Sequence, residues 1–130
     1  MKKHSICVSV LLLVFGSVLA TSAPAKRWVY LGNAHADKTA DHKTIHVSGS
    51  GLFHTIQLRV NGGGVEFERL VVHFADGGKE ELAVQDHVRS GGKTHELDLP
   101  GDRRALNSVE LWYSKEHVDE RAEIRLYAAP

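Results

Sequence analysis

Cysteine is almost absent from this chain of 130 residues: Cys7 is the only one, so no intramolecular disulfide is available. That excludes the disulfide-dense scaffolds by which small extracellular domains make up for a thin core. Proline is scarce, with three residues and no glycine period beside it, which excludes a collagen-like chain. No apolar run reaches the ~20 residues that a helix needs to span a bilayer. Charge of one sign is not in excess either, because 16 Lys and Arg face 16 Asp and Glu. Nucleic-acid binding rests on a clustered basic surface, and this balance gives no ground for it. At 42% hydrophobic and 25% charged residues the composition is that of a globular chain, neither disordered nor coiled-coil. The length allows one domain.

What is present begins with residues 1–25, MKKHSICVSVLLLVFGSVLATSAPA. Lys2 and Lys3 form a positive start, Ile6 to Leu19 is apolar, and small residues follow at Ala23-Pro24-Ala25, with Val18-Leu19-Ala20 as an earlier alternative. We expect a cleavable bacterial signal peptide over 1–25, no retained membrane anchor, and a periplasmic or secreted protein. Cys7 lies inside the apolar run, which argues against a lipoprotein cysteine, and it leaves with the peptide. Residues 26–130 then form a single domain of 105 residues without cysteine, with 14 basic against 16 acidic side chains. Its stability has to come from an apolar core, and a domain of this size buries roughly 65% of its unfolded surface.

Along residues 26–130, short apolar segments alternate with glycine-rich punctuation, the pattern of an all-β chain. The expected strands are Trp28 to Leu31, Lys43 to Val47, Phe53 to Val60, Val65 to Phe74, Glu81 to Val84, Thr94 to Leu99, Leu106 to Tyr113 and Ala122 to Tyr127. In FHTIQLRV, alternation turns Ile56, Leu58 and Val60 inward, and Gln57 and Arg59 outward. VEFERLVVHF changes phase: Val65 and Phe67 share one face, but Leu70, Val72 and Phe74 share the other. A β-bulge near Glu68-Arg69 would turn all five inward; the alternative is a strand buried on both faces in its second half. Ser114 to Arg121 is polar all round and reads as a loop. The expected fold is all-β: an antiparallel β-sandwich of about eight strands, jelly-roll or immunoglobulin-like, with a small barrel as the alternative.

Histidine is the unusual component, with nine in the chain and eight in residues 26–130. His35, His42, His46 and His54 fall near Asp37 and Asp41, and imidazole and carboxylate can ligate Zn²⁺, Cu²⁺ or Ni²⁺. On a strand, His42 and His46 would stand ~13 Å apart at ~3.3 Å per residue, too far to share an ion. A loop set of His35, Asp37, Asp41 and His42 is therefore the candidate Zn or Cu site; the plainer reading is a solvated polar loop with no cofactor. The same imidazoles would carry residues 26–130 from −2 to +6 on full protonation, near pH ~6.5 when unperturbed. His73, between apolar neighbours, reads as a core or half-buried histidine, with a place in a cleft as the alternative.

Other candidates are weaker. Ser48, Ser50, Ser90, Ser108 and Ser114 sit in no nucleophile-elbow context, and no cysteine remains to serve instead. Gly49-Ser50-Gly51 and Asn61 to Gly64 are turn glycines, not a phosphate loop before a helix. Glu66 and Glu68, ~6.6–6.8 Å apart along a strand, meet a glycosidase separation but read equally as a solvated strand face. Arg103, Arg104, Trp112 and Tyr113 are a candidate ligand face, because aromatics beside arginine serve sugar- and peptide-binding surfaces.

The series W-V-Y-L-G (28–32), D-H-K-T-I-H-V (41–47), I-Q-L-R-V (56–60), V-E-F-E-R-L-V-V-H-F (65–74), D-L-P-G-D-R-R (98–104) and V-E-L-W-Y (109–113) resembles a domain-of-unknown-function family of small exported bacterial proteins. The resemblance covers almost all of residues 26–130. It implies a signal peptide followed by one secreted β-rich domain, and it brings no catalytic or ligand residue with it. The function expected is that of an exported, non-enzymatic β-sandwich acting as a binding or structural module of the cell envelope, with an envelope protein or glycan as partner. The alternative is a periplasmic transition-metal-binding protein using the His/Asp-rich first third.

Overall fold

Period-two alternation of apolar and polar side chains organises residues 26–130, the part of the chain that the computed structural model describes. The expected leader over 1–25 lies outside the described residues. Eight strands run as β1 (Val29–His35), β2 (His42–His46), β3 (Thr55–Asn61), β4 (Val65–Phe74), β5 (Lys79–Val88), β6 (Leu97–Asp98), β7 (Leu106–Val118) and β8 (Glu123–Ala129). They form two four-stranded antiparallel sheets, ordered β1-β8-β3-β6 and β2-β7-β4-β5. Successive strands switch sheets at every step but the β4–β5 hairpin, and β1 and β2 lie beside β8 and β7. That order is the jelly roll, which selects one of the two expected topologies and excludes the barrel. Among the described residues, no helix is long and apolar enough to cross a membrane.

The core lies between the sheets. Ile56, Leu58, Val60, Ile124 and Leu126 of the first sheet meet Val65, Phe67, Leu70, Val72, Val109, Leu111 and Tyr113 of the second, all fully or almost fully buried. Each such aliphatic side chain contributes about 1.5–3 kcal/mol through burial. The phase change in β4 is a bulge. Its pairing with both β5 and β7 shifts register between Phe67 and Arg69, leaving Glu68 unpaired and exposed. Val65, Phe67, Leu70, Val72 and Phe74 thereby all face the core, and Arg69, Val71 and His73 face out. His73 is accordingly half-buried on an outer face.

Four expectations change, each for a tertiary reason. Gln57 is buried instead of outward, because residues 90–94 fold over it and its Nε2 donates to the Thr94 carbonyl at 3.1 Å. β5 is ten residues long, since it follows β4 throughout and takes its own irregularity at Gln85, where φ is 47°. β6 shrinks to two residues because Thr94 instead serves β3, its N–H donating to the Leu58 carbonyl and its Oγ1 accepting from Leu58 N–H. β7 extends to Val118: Val65 pairs with Val118 and Phe67 with Tyr113, so Ser114–His117 bulge out of the ladder. Gly62 holds the turn after β3. Its φ is +80°, and a Cβ there would stand 2.5 Å from the Arg121 carbonyl oxygen.

Candidate functional site

Cross-strand neighbours in an antiparallel sheet present side chains on the same face. In the second sheet the register therefore lays out three outward rows across β2, β7, β4 and β5. They are His46–Ser108–His73–Lys79, Thr44–Glu110–Val71–Glu81 and His42–Trp112–Arg69–Ala83. Beyond the Glu68 bulge the same face continues with Glu66 opposite His87, and His117 Nε2 stands 3.9 Å from Glu66 Oε2. Five of the eight histidines in residues 26–130 thus meet on one surface, drawn from four different strands.

Glu110 is its electrostatic centre. His42 Nε2 donates to Glu110 Oε2 at 3.0 Å, and His73 Nε2 donates to Glu110 Oε1 at 2.7 Å. An ionised carboxylate can only accept, so both imidazoles carry their proton on Nε2. The His42 hydrogen bond, then the one from His73, hold the Glu110 carboxyl below the usual carboxylate range despite partial burial. Trp112 stands beside them with both ring faces covered: His42 stacks at 4.6 Å and 31°, and the Arg69 guanidinium lies 3.8 Å from its centroid. Arg69 also reaches Glu81 at 3.3 Å. A shallow cleft of about 380 Å³ opens between Arg69, His73, Glu81, Glu110 and Trp112, and a broader depression of about 810 Å³ lies beside Glu66, His87 and His117.

These rows hold Arg69 and Lys79 against Glu66, Glu81 and Glu110, a net charge of −1 with neutral imidazoles. Protonating the five histidines takes it to +4.

The residues singled out from the sequence are distributed differently. Asp37 closes its own turn, accepting from Thr39 Oγ1, from Thr39 and Ala40 N–H, and from Lys43 Nζ at 2.9 Å. Thr39 and then Lys43 hold its carboxyl far below the ordinary value. His42 points to Glu110, His35 ends β1 opposite Glu123, and Asp41 gives its carbonyl to Tyr113 N–H. The four expected ligands His35, Asp37, Asp41 and His42 do not converge, and among the described residues no three His, Cys, Asp or Glu side chains are grouped to hold a metal.

Arg103, Arg104, Trp112 and Tyr113 do not form one face either. Arg104 lies 3.5 Å over the Phe74 ring and pairs with Asp76 at 3.2 Å, and exposed Arg103 shares a hollow with it beside Leu52 and Asp76. Phe74 is five residues along β4 from Arg69, the neighbour of Trp112, a separation of roughly 16 Å. Tyr113 is fully buried, its hydroxyl accepting from Asp37 N–H and donating to the Asp37 carbonyl, both at 3.3 Å. Burial raises its phenol pKa. Adjacent strand residues point to opposite faces, so Trp112 and Tyr113 are separated by parity alone. Glu66 and Glu68 likewise part, because Glu68 sits on the bulge and only Glu66 borders the depression.

Arg69, His73 and Glu110 are the site residues that single-strand reading left out. The post-bulge phase of β4 and the shared parity of Glu110 and Trp112 were the available signals. Their meeting depends on the register of three strands.

The chain matches, over residues 6–128, the model of a domain of unknown function, DUF2541. No curated protein matches it. Its fold is similar to that of Pseudomonas aeruginosa AlgX, with a TM-score of 0.57 and 10% sequence identity over 82% of this chain and 27% of that chain. At that identity the likeness is one of fold alone, and this chain spans about a quarter of AlgX.

Proposed function

The chain belongs to the DUF2541 family, and from that premise we propose that it is a non-catalytic binding module exported to the bacterial cell envelope, working through the outer face of β2, β7, β4 and β5. One observation carries the proposal: five histidines and three carboxylates share one solvent-facing sheet surface with a tryptophan flanked by His42 and Arg69. The partner is an envelope protein or glycan, engaged by Trp112 and the polar side chains around it. The module carries no resident metal or organic cofactor.

A binding role is favoured over a catalytic one by how the polar groups are committed. Ser108 lies between His46 and His73 in the register, but among the described residues its hydroxyl hydrogen-bonds to neither. The strand N–H groups around it serve the ladder, so no pair of donors is aimed at a developing oxyanion. Export is supported by the leader-like residues 1–25 and by the absence of cysteine from residues 26–130.

Two measurements test this. Protein recovered from the periplasm of an expressing bacterium should begin at Lys26; recovery of the whole chain from the cytoplasm overturns export. The immobilised, processed protein should retain cell-envelope material. His73→Ala and Trp112→Ala should each lower that retention, and retention indifferent to both substitutions overturns the choice of face.

A further inference from the structure

The outer face of the first sheet carries a different arrangement, independent of the histidine face. Its register sets Asn33, Arg125, Arg59 and Lys93 in one row across β1, β8, β3 and the segment beside β3. Three cations therefore stand side by side at cross-strand spacing, about 5 Å between neighbouring Cβ atoms. Like charges directly opposite one another destabilise a sheet. Relief is partial: Glu123 accepts from Arg125 Nε at 2.6 Å, whereas Arg59 and Lys93 have no acidic partner among the described residues.

Arg59 is also held in place. Its guanidinium lies 4.1 Å from the centroid of Tyr127 and 5.7 Å from that of Trp28. Its Nε donates to Gln57 Oε1 at 3.2 Å, and buried Gln57 is itself fixed by donating to the Thr94 carbonyl. Stacking and Nε are thus both used, while the two Nη groups have no protein acceptor among the described residues. A planar fork fixed in this way matches a planar carboxylate. The groove above it, about 520 Å³, is bordered by Arg59, Arg125, Tyr127, Lys93 and the bare backbone of Gly91 and Gly92, with no carboxylate in its lining. The next row sets Tyr30 beside Tyr127, and Tyr30 is 47% exposed.

We infer that this groove binds an acidic glycan, a sugar chain with carboxylates on its rings. Arg59 grips one carboxylate, Lys93 and Arg125 neutralise its neighbours, and Tyr30 receives the apolar face of a sugar ring. Three cations and an exposed aromatic, with 11 basic against 16 acidic side chains in the remainder of residues 26–130, suit such a chain better than a nucleic acid, which draws on a wider basic surface.

The test titrates the processed protein with a galacturonate hexamer, and with cellohexaose, inorganic polyphosphate and oligothymidylate, following Trp28 fluorescence in a Trp112→Phe background. The hexauronate should bind and weaken with added salt. Arg59→Ala and Arg59→Lys should each lower its affinity by about tenfold to a hundredfold, because the lysine keeps the charge but not the fork. Lys93→Ala should lower it about threefold to tenfold, and Lys115→Ala, which removes an exposed cation of the other sheet outside both sites, should leave it unchanged. Equal binding of cellohexaose, tighter binding of polyphosphate or oligothymidylate, or no binding of the hexauronate overturns the inference. Should Arg59→Ala fail to fold, exposed Lys93 decides, and an unchanged affinity in Lys93→Ala overturns it.

Discussion

The two outer faces of the sandwich are cut from the same alternation but handle charge in opposite ways. On the second sheet the central charges sit beside groups that can answer them: Glu110 is shared by His42 and His73, and Arg69 is divided between Trp112 and Glu81. That surface is nearly balanced and can be retuned by a proton. On the first sheet Arg59, Arg125 and Lys93 stand in one row, held by aromatics and backbone turns. Guanidinium and ammonium groups stay charged across the physiological range, so that surface is fixed. Imidazole beside carboxylate makes a face that answers to pH; arginine beside tyrosine makes one that answers to salt.

The largest expected effect would break the comparison by removing what both faces share. Phe67→Ala opens the common core and should cost about 3–5 kcal/mol. Trp28 reports the first face and Trp112 the second, so Trp112→Phe and Trp28→Phe backgrounds can follow each separately. In denaturant titrations the two signals should fall together; separate transitions would show that the faces are not carried by one cooperative core.

Glu110→Gln sharpens the comparison next, with an expected loss of about 1 kcal/mol near neutral pH, since hydrogen bonds to a charged group are worth more but this side chain is partly solvated. The sign with pH follows from its depressed carboxyl. Stability from Glu110 is present above the unfolded carboxylate range and is lost as pH falls through the lower folded value. Unfolding curves from about pH 6 to about pH 3 should therefore show wild type and variant converging in acid. The Arg59→Ala variant should show no such convergence.

The smallest effect is Arg69→Ala, which removes the cation over Trp112 and should cost about 0.5–1 kcal/mol. Trp112 emission should shift as the ring becomes solvated, while Trp28 emission stays constant. A shift in both would mean that the faces communicate through the sheets.

Much of the fold was legible because alternation is a local property. Phase alone narrowed β4 to a bulge near Glu68-Arg69 or a second half buried on both faces, and the register shift between Phe67 and Arg69 decides for the bulge. Alternation also contained the separation of Trp112 from Tyr113, although proximity in sequence had grouped them. Gln57 could not be placed, because what buries it is a segment more than thirty residues away. The polar stretch from Ser114 lacked any apolar period, yet Val118 returns to the ladder because Val65 offers it a partner.

The sequence by itself determined an all-β antiparallel fold, the faces that most strands bury, and the presence of imidazoles in unusual number, because each follows from neighbours two or a few residues apart. Only the tertiary structure decided the jelly-roll order, the clustering of His42, Glu110 and His73, and the row of Arg125, Arg59 and Lys93. Those depend on register between strands far apart in the chain, and register is fixed by the packing of one common core.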